Sequence, residues 1–336
     1  MPSYAPEDCH APLLASAPCK MAFDPANNFA EWQMEVGIKL RELVGVMPDQ
    51  VPPSVRIEWE RSYDSFDETR FTFTSEPGAD VPCHLLLPKN ADGPVPVVIC
   101  LQGHSTGMHI SLGRPSEEYN DGPIEGDRDF AIQAVAEGYA ALVMEQRCFG
   151  ERKQLDEKRG NNRCQHGSLT ALLLGRTMIG ERCWDVSRAI DVLESFDSVD
   201  TSRIGCMGNS GGGTITFFAA CLEPRIDVAM PSCYVCTFRD SIGSLHHCAD
   251  NYIPGVLQYF EMGDLAGLIA PRPLVVVAGR DDPIFPIAAV KETFSKITEI
   301  YGACGAPDSC SLIVGEGAHR FYAEPAWPVF RQLSGW

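Results

Sequence analysis

The chain is short of positive charge. Its 27 lysines and arginines face 45 aspartates and glutamates, for a formal net charge of −18. Such a surface repels phosphate backbones and anionic lipid, so neither nucleic acid nor a membrane surface is an expected partner. No run approaches the roughly 18 apolar residues of a membrane span. The opening segment MPSYAPEDCHAPLLASAPCK lacks a charged stretch followed by a long apolar one, so no secretory signal is expected. There is no internal repeat and no low-complexity segment. Cys233 and Cys236 form a CxxC with no second pair at zinc-finger spacing, so neither a metal nor a cofactor is expected. Of the 14 cysteines, Cys100, Cys206 and Cys221 fall in apolar runs, where cysteine acts as a small buried hydrophobe. With no signal segment, this points to the reducing cytoplasm.

What is present is ordinary globular material: 336 residues, 45% hydrophobic and 21% charged, enough for one large buried sheet. Residues 1–25 are rich in proline and alanine and read as a loose arm. Phe29, Trp32, Val36, Leu40 and Leu43 then recur at helical spacing, and Pro48, Pro52 and Pro53 end that pattern. Residues 1–54 therefore read as an arm and a helix packed on the outside of a main domain, 55–336. The helix is the candidate contact for a homo-oligomer.

Three short runs follow, Val55–Glu60, Thr69–Thr74 and Val81–Leu87, separated by turn residues as in an antiparallel edge. From Val95 the rhythm changes. VPVVICLQG, YAALVMEQ, RIGCMGNS, DVAMPSC, PLVVVAGR and CSLIVGEG are apolar runs of the kind buried on both faces. Helix-like stretches lie between them, including 129–137, 169–196 and 287–301. Strands alternating with helices predict an α/β fold, a mostly parallel sheet with helices on both faces. Arg147–Gly167 and Phe238–Leu268 interrupt the alternation. Both follow strands, so they read as walls or lids at the carboxyl edge of the sheet, with solvated loops as the plainer alternative.

The strongest local signal is RIGCMGNSGGG, residues 203–213. It contains Gly208-Asn209-Ser210-Gly211-Gly212, a G-x-S-x-G between an apolar strand and a helix-like run. That strand–turn–helix setting is what a nucleophile elbow requires. The glycines remove Cβ clashes around a strained serine, and the helix N-terminus favours developing negative charge. A serine hydroxyl needs a base, and in such folds the order is Ser, acid, His. His319, in GEGAHRFY after the last apolar run, fits that order better than His246 or His247. In Gly279-Arg280-Asp281-Asp282-Pro283-Ile284-Phe285-Pro286 the pattern selects Asp282 as the acid. Asp281 is then a neighbour that caps or pairs with Arg280. The oxyanion donors are the backbone N–H groups of Gly211 and, from the loop Gln102-Gly103-His104, of His104. The His104 side chain is either a substrate contact or a cap on the following turn.

These motifs carry a resemblance. LQGH, Gly175-Arg176 with Arg182-Cys183-Trp184-Asp185, RIGCMGNSGGG, APRPLVVVAGRDDPIFP and GEGAHRF span about residues 95–325. The set resembles α/β-hydrolase esterases near dienelactone hydrolase, and more closely the acetyl xylan esterase-like hydrolases. It implies hydrolysis of carboxylic esters, often acetyl groups on sugars, with a small-molecule ester as substrate. Gln102 stands where many relatives have His, and Ser210 stands where dienelactone hydrolase has Cys. Gln102, Arg147 and Arg152 are the candidate substrate contacts, the arginines against a carboxylate or a polar sugar. A surface charge cluster is the alternative for the arginines. Trp184 reads as core rather than as a sugar platform. Peptidase or amidase chemistry and acyl transfer to another alcohol stay open on the same triad. A non-catalytic binding protein fits less well, because Ser210, Asp282 and His319 are all present.

Overall fold

The computed structural model describes residues 4–336 except residues 90, 120 and 154–162. The strands are β1 (Arg56–Ser62), β2 (Phe66–Glu76), β3 (Ala79–Pro88), β4 (Val95–Leu101), β5 (Ala140–Met144), β6 (Val199–Asn209), β7 (Val228–Ser232), β8 (Leu274–Gly279) and β9 (Cys310–Gly315). They form one sheet in the order β1-β2-β3-β5-β4-β6-β7-β8-β9. β1, β2 and β3 pair antiparallel and β3 joins β5 antiparallel; from β5 to β9 every pairing is parallel. This is the expected α/β architecture, with its antiparallel edge where the short runs of residues 55–87 place it.

The helices are α1 (Pro6–Ala15), α2 (Phe29–Val44), α3 (Phe130–Ala136), α4 (Arg163–Leu173), α5 (Met178–Leu193), α6 (Gly211–Leu222), α7 (Met262–Leu265), α8 (Ile287–Ala303) and α9 (Ala323–Ser334). Successive residues of a strand point to opposite faces, and the core divides accordingly. Val97, Ile99 and Leu101 of β4 enter the larger cluster, with residues of α2, α5, α6 and α8. Val98 and Cys100 enter the other, with Phe130 of α3 and Trp327 and Phe330 of α9. Helix α2 begins at an Asn28 cap, which accepts from the Ala30 and Glu31 amides, and buries Trp32, Val36, Leu40 and Val44. The Trp32 indole donates to the Met21 carbonyl at 2.9 Å.

Two expectations need correction. The segment expected as a loose arm contains α1, and Leu14 beyond its centre packs beside Gly243. The single amphipathic stretch 169–196 is two helices. Gly175 takes a positive φ of 73°, and the chain turns there so that Arg176 bridges to Gly45. Part of the lid expected at 147–167 lies outside the described residues. The segment 238–268, expected as a wall or lid, packs against the core and buries Phe238, Ile242, Ile253, Phe260 and Met262. It is held because its apolar side chains face the core rather than water.

Candidate active site

β4 is flanked by β5 and β6, so the loops leaving the carboxyl ends of β4 and β6 diverge from a switch point, where open sheets bind ligands. Ser210 sits there, between β6 and α6. It is held at φ 58°, ψ −123°, a region that L-residues rarely adopt. Its amide donates to the Ser232 carbonyl at 2.9 Å, and its carbonyl accepts from the Thr214 amide at 2.8 Å. Glycines permit the turn. A Cβ on Gly212 would stand 1.9 Å from the Leu101 oxygen, and one on Gly103 would stand 2.5 Å from the Asn209 oxygen. The loop after β4 is thereby pressed against the elbow.

His319 follows β9, and Asp282 follows β8. The two loops are tied by backbone, since the Arg280 amide donates to Gly315 O at 2.9 Å and the Asp281 amide to Gly317 O at 2.8 Å. His319 Nδ1 lies 2.8 Å from Asp282 Oδ2. The other oxygen of Asp282 accepts from the Ile284 and Phe285 amides at 2.9 and 3.2 Å. Burial pushes the Asp282 carboxyl up, but His319 and these two amides outweigh it and hold it below the usual carboxylate range. An ionised Asp282 accepts, so Nδ1 carries the proton and Nε2 is left as the basic nitrogen. Phe285 stacks on the imidazole at 5.8 Å between centroids. Asp281 does not pair with Arg280, which reaches Glu316 instead.

Ser210, Gly211, His104, Gln102 and His319 line one cavity of about 1220 Å³, together with Arg128, Arg320, His246, His247, Cys248 and Phe285. Gln102 is a buried wall residue. Its amide nitrogen donates to Ser111 Oγ at 3.1 Å and to Arg128 O at 3.3 Å, and its oxygen accepts from the Gly103 amide. Arg147 and Arg152, expected as substrate contacts, are not among the residues lining this cavity. Arg147 forks onto Asp185 at 2.8 and 2.9 Å and reaches Glu76 and Glu181; Arg152 reaches Asp185 at 2.6 Å. The physical reason is Asp185 itself, a fully buried carboxylate on α5 that needs cationic partners. Trp184 donates to Ser75 O at 3.0 Å, against β2.

Sequence reasoning missed Asp250 and the role of Arg182. Asp250, in the wall after β7, accepts from His104 Nε2 at 2.9 and 3.1 Å and from the buried Arg182 at 2.8 Å. Asn251 links the same carboxylate to Thr214 on the first turn of α6. No motif marks such a contact across 146 residues. Donor atoms of His104, Cys164, Cys248 and Asp250 lie within 4.8 Å of one another. That group already contains the Arg182 guanidinium, on Asp250 and 3.8 Å from Cys164 Sγ, and the His104–Asp250 pair, so we assign no metal to it. Asp282 and His319 with Cys233 form the other such group.

The arrangement can serve acyl transfer: a strained serine at a helix N-terminus, an imidazole oriented by Asp282, and the Gly211 amide next to the serine in the chain. The sequence profile of the Abhydrolase family matches residues 11–309. The chain belongs to the Abhydrolase family. Among curated proteins, YtaP of Bacillus subtilis (strain 168), provisionally assigned as a hydrolase, is 28% identical over 304 residues, 89% of this chain and 97% of its own. A provisionally assigned acetyl xylan esterase from Bacteroides fragilis superposes with a TM-score of 0.77 at 18% identity, over 96% of this chain and 84% of its own. The glucuronoyl esterase of Solibacter usitatus gives 0.68 at 15% identity, over 99% and 98%. The fold is thus that of an α/β-hydrolase.

Proposed function

We propose that this abhydrolase is a serine carboxylesterase acting on esters of small polar molecules, acetylated sugars among them, through an acyl-enzyme on Ser210. The observation that carries the reading is that His319, held by the buried Asp282, lines the same cavity as a strained Ser210. Ser210 Oγ attacks the ester carbonyl while His319 Nε2 takes its proton. The amides of Gly211 and His104 donate to the oxyanion. The alcohol leaves with the proton from His319, and a water activated by the same nitrogen releases the acid. Asp282 orients the imidazole and stabilises the imidazolium without taking the proton.

The cavity supports a polar, sugar-sized alcohol portion. Four histidines, two arginines and Asn251 face it, and its volume of about 1220 Å³ exceeds what a short acyl chain needs. The acetyl xylan esterase and glucuronoyl esterase assignments of the structural neighbours support ester chemistry. Buried thiols such as Cys100, Cys183 and Cys206 accord with a reducing cytoplasm.

The test is a panel of p-nitrophenyl esters of rising chain length, acetylated xylo-oligosaccharides and p-nitroanilides. The reading expects the highest kcat/KM on acetyl esters. Faster cleavage of anilides than esters, or no ester hydrolysis by the folded chain, overturns it. Product analysis with an added alcohol separates hydrolysis from acyl transfer.

A further inference from the structure

His104 carries more than a backbone amide. Its ring stands beside the nucleophile's neighbour. Nδ1 lies 2.8 Å from the point where a side chain on Gly211 would begin, so residue 211 can only be glycine while the ring is there. The other nitrogen is clamped by Asp250 at 2.9 Å, and Asp250 is in turn held by the fully buried Arg182 at 2.8 Å. Arg182 also donates to the Arg147 carbonyl at 2.7 Å and lies over the Phe149 ring at 4.3 Å, so its position is fixed. Phe149 meets the His104 ring edge-on at 5.1 Å. Thr214 and Asn251 tie this group to the first turn of α6.

The charges sum to a cation. One carboxylate faces a guanidinium and an imidazole whose Nε2 donates to it. Burial pulls the His104 imidazole down, but the Asp250 carboxylate outweighs it and the value is pushed up to about 9. The other titratable groups around the ring are the thiols of Cys248 and Cys164 and, across the cavity, His247. His247 is pushed the opposite way, to about 4, by burial first and then by the neighbouring His104 imidazolium. A buried ion cluster is a poor source of stability. A fixed positive charge beside a developing oxyanion, by contrast, acts where it is worth most.

We propose that the His104 side chain is a catalytic residue: an imidazolium clamped by Asp250 and backed by Arg182, which turns its Nδ1–H to the oxyanion formed beside Gly211. The inference rests on Ser210 being the nucleophile. It assigns the ring a role separate from the backbone N–H of the same residue. A second dyad, His104–Asp250, then supports the negative charge that the first dyad, His319–Asp282, helps to create.

The test uses His104→Gln, which keeps the backbone amide, with Asp250→Asn and Ser210→Ala alongside, on the full chain with p-nitrophenyl acetate. The inference expects His104→Gln to lower kcat about 10- to 100-fold with KM little changed. In the unmodified chain the kcat profile should fall on the alkaline side near pH 9, where the imidazolium is lost. Asp250→Asn should move that fall to lower pH, and thermal melts identify any variant that fails to fold. Folded His104→Gln within about twofold of the unmodified chain, with the same alkaline limb, overturns the inference. If Ser210→Ala retains turnover, the underlying esterase reading fails instead.

Discussion

His319 Nδ1 meets Asp282 Oδ2 at 2.8 Å, and Asp282 takes two backbone amides on its other oxygen. The carboxylate therefore has one imidazole to orient and a fixed rotamer from which to do it. Asp282→Asn replaces the acceptor facing Nδ1 with an amide and favours the wrong tautomer. Steady-state assays on an activated ester should show kcat reduced by about three to four orders of magnitude, with KM changed far less. Asp281→Asn, by contrast, should leave kcat nearly unchanged.

The adjacent glycines Gly211 and Gly212 should fail differently. A Cβ on Gly212 meets the Leu101 oxygen at 1.9 Å, and backbone cannot yield. Gly212→Ala should cost about 3 kcal/mol or more in chemical denaturation. A Cβ on Gly211 meets the His104 ring at 2.8 Å, and the ring can move only by loosening its hold on Asp250. Gly211→Ala should lower the melting temperature less than Gly212→Ala and lose about tenfold or more in kcat.

Arg147 offers a direct contrast between substrate binding and structure. It is mostly buried against Asp185, Glu76 and Glu181. Removing it leaves the buried Asp185 with Arg152 as its cationic partner. Arg147→Ala should destabilise the chain by about 3 kcal/mol in urea unfolding, while KM for charged and neutral esters stays the same. A selective rise in KM for anionic esters would restore the role expected from sequence.

Glu145, buried beside Gly107 and Gly150, should shape stability against pH. Burial pushes its carboxyl up to about 7, although the Met108 and Glu151 amides donate to it. A carboxyl raised in the fold contributes stability below its ordinary value of 4.5, and that stability is lost as pH rises to about 7. Melting temperatures of Glu145→Gln should therefore drop less between about pH 5 and about pH 8 than those of the unmodified chain.

Much of the fold was legible because its signals are local. Continuous apolar runs marked β4 to β9, short runs separated by turn residues marked β1 to β3, and helical spacing marked α2 with Trp32, Val36 and Leu40 inward. The elbow was legible because strand, glycine turn and helix are contiguous. The break between α4 and α5 was not, since it depends on Gly175 turning the chain against Gly45, a tertiary contact. Helix α1 was hidden by its prolines, although Pro6 at a helix start is favourable. Arg147 and Arg152 misled because positive charge after a buried strand looks the same whether it faces a ligand or a buried aspartate. Only the fold reveals Asp185 and Asp250 as the carboxylates that recruit Arg147, Arg152, Arg182 and His104.

The central claim is that Ser210 is the attacking group, and covalent capture tests it most directly. The folded chain is treated with a fluorophosphonate, digested with trypsin and mapped by mass spectrometry. The account predicts one adduct, on Ser210 in the peptide Ile204–Arg225, with loss of ester turnover in proportion to labelling and no adduct in Ser210→Ala. An adduct on another residue that tracks the loss of activity, or full ester turnover by Ser210→Ala, would contradict it.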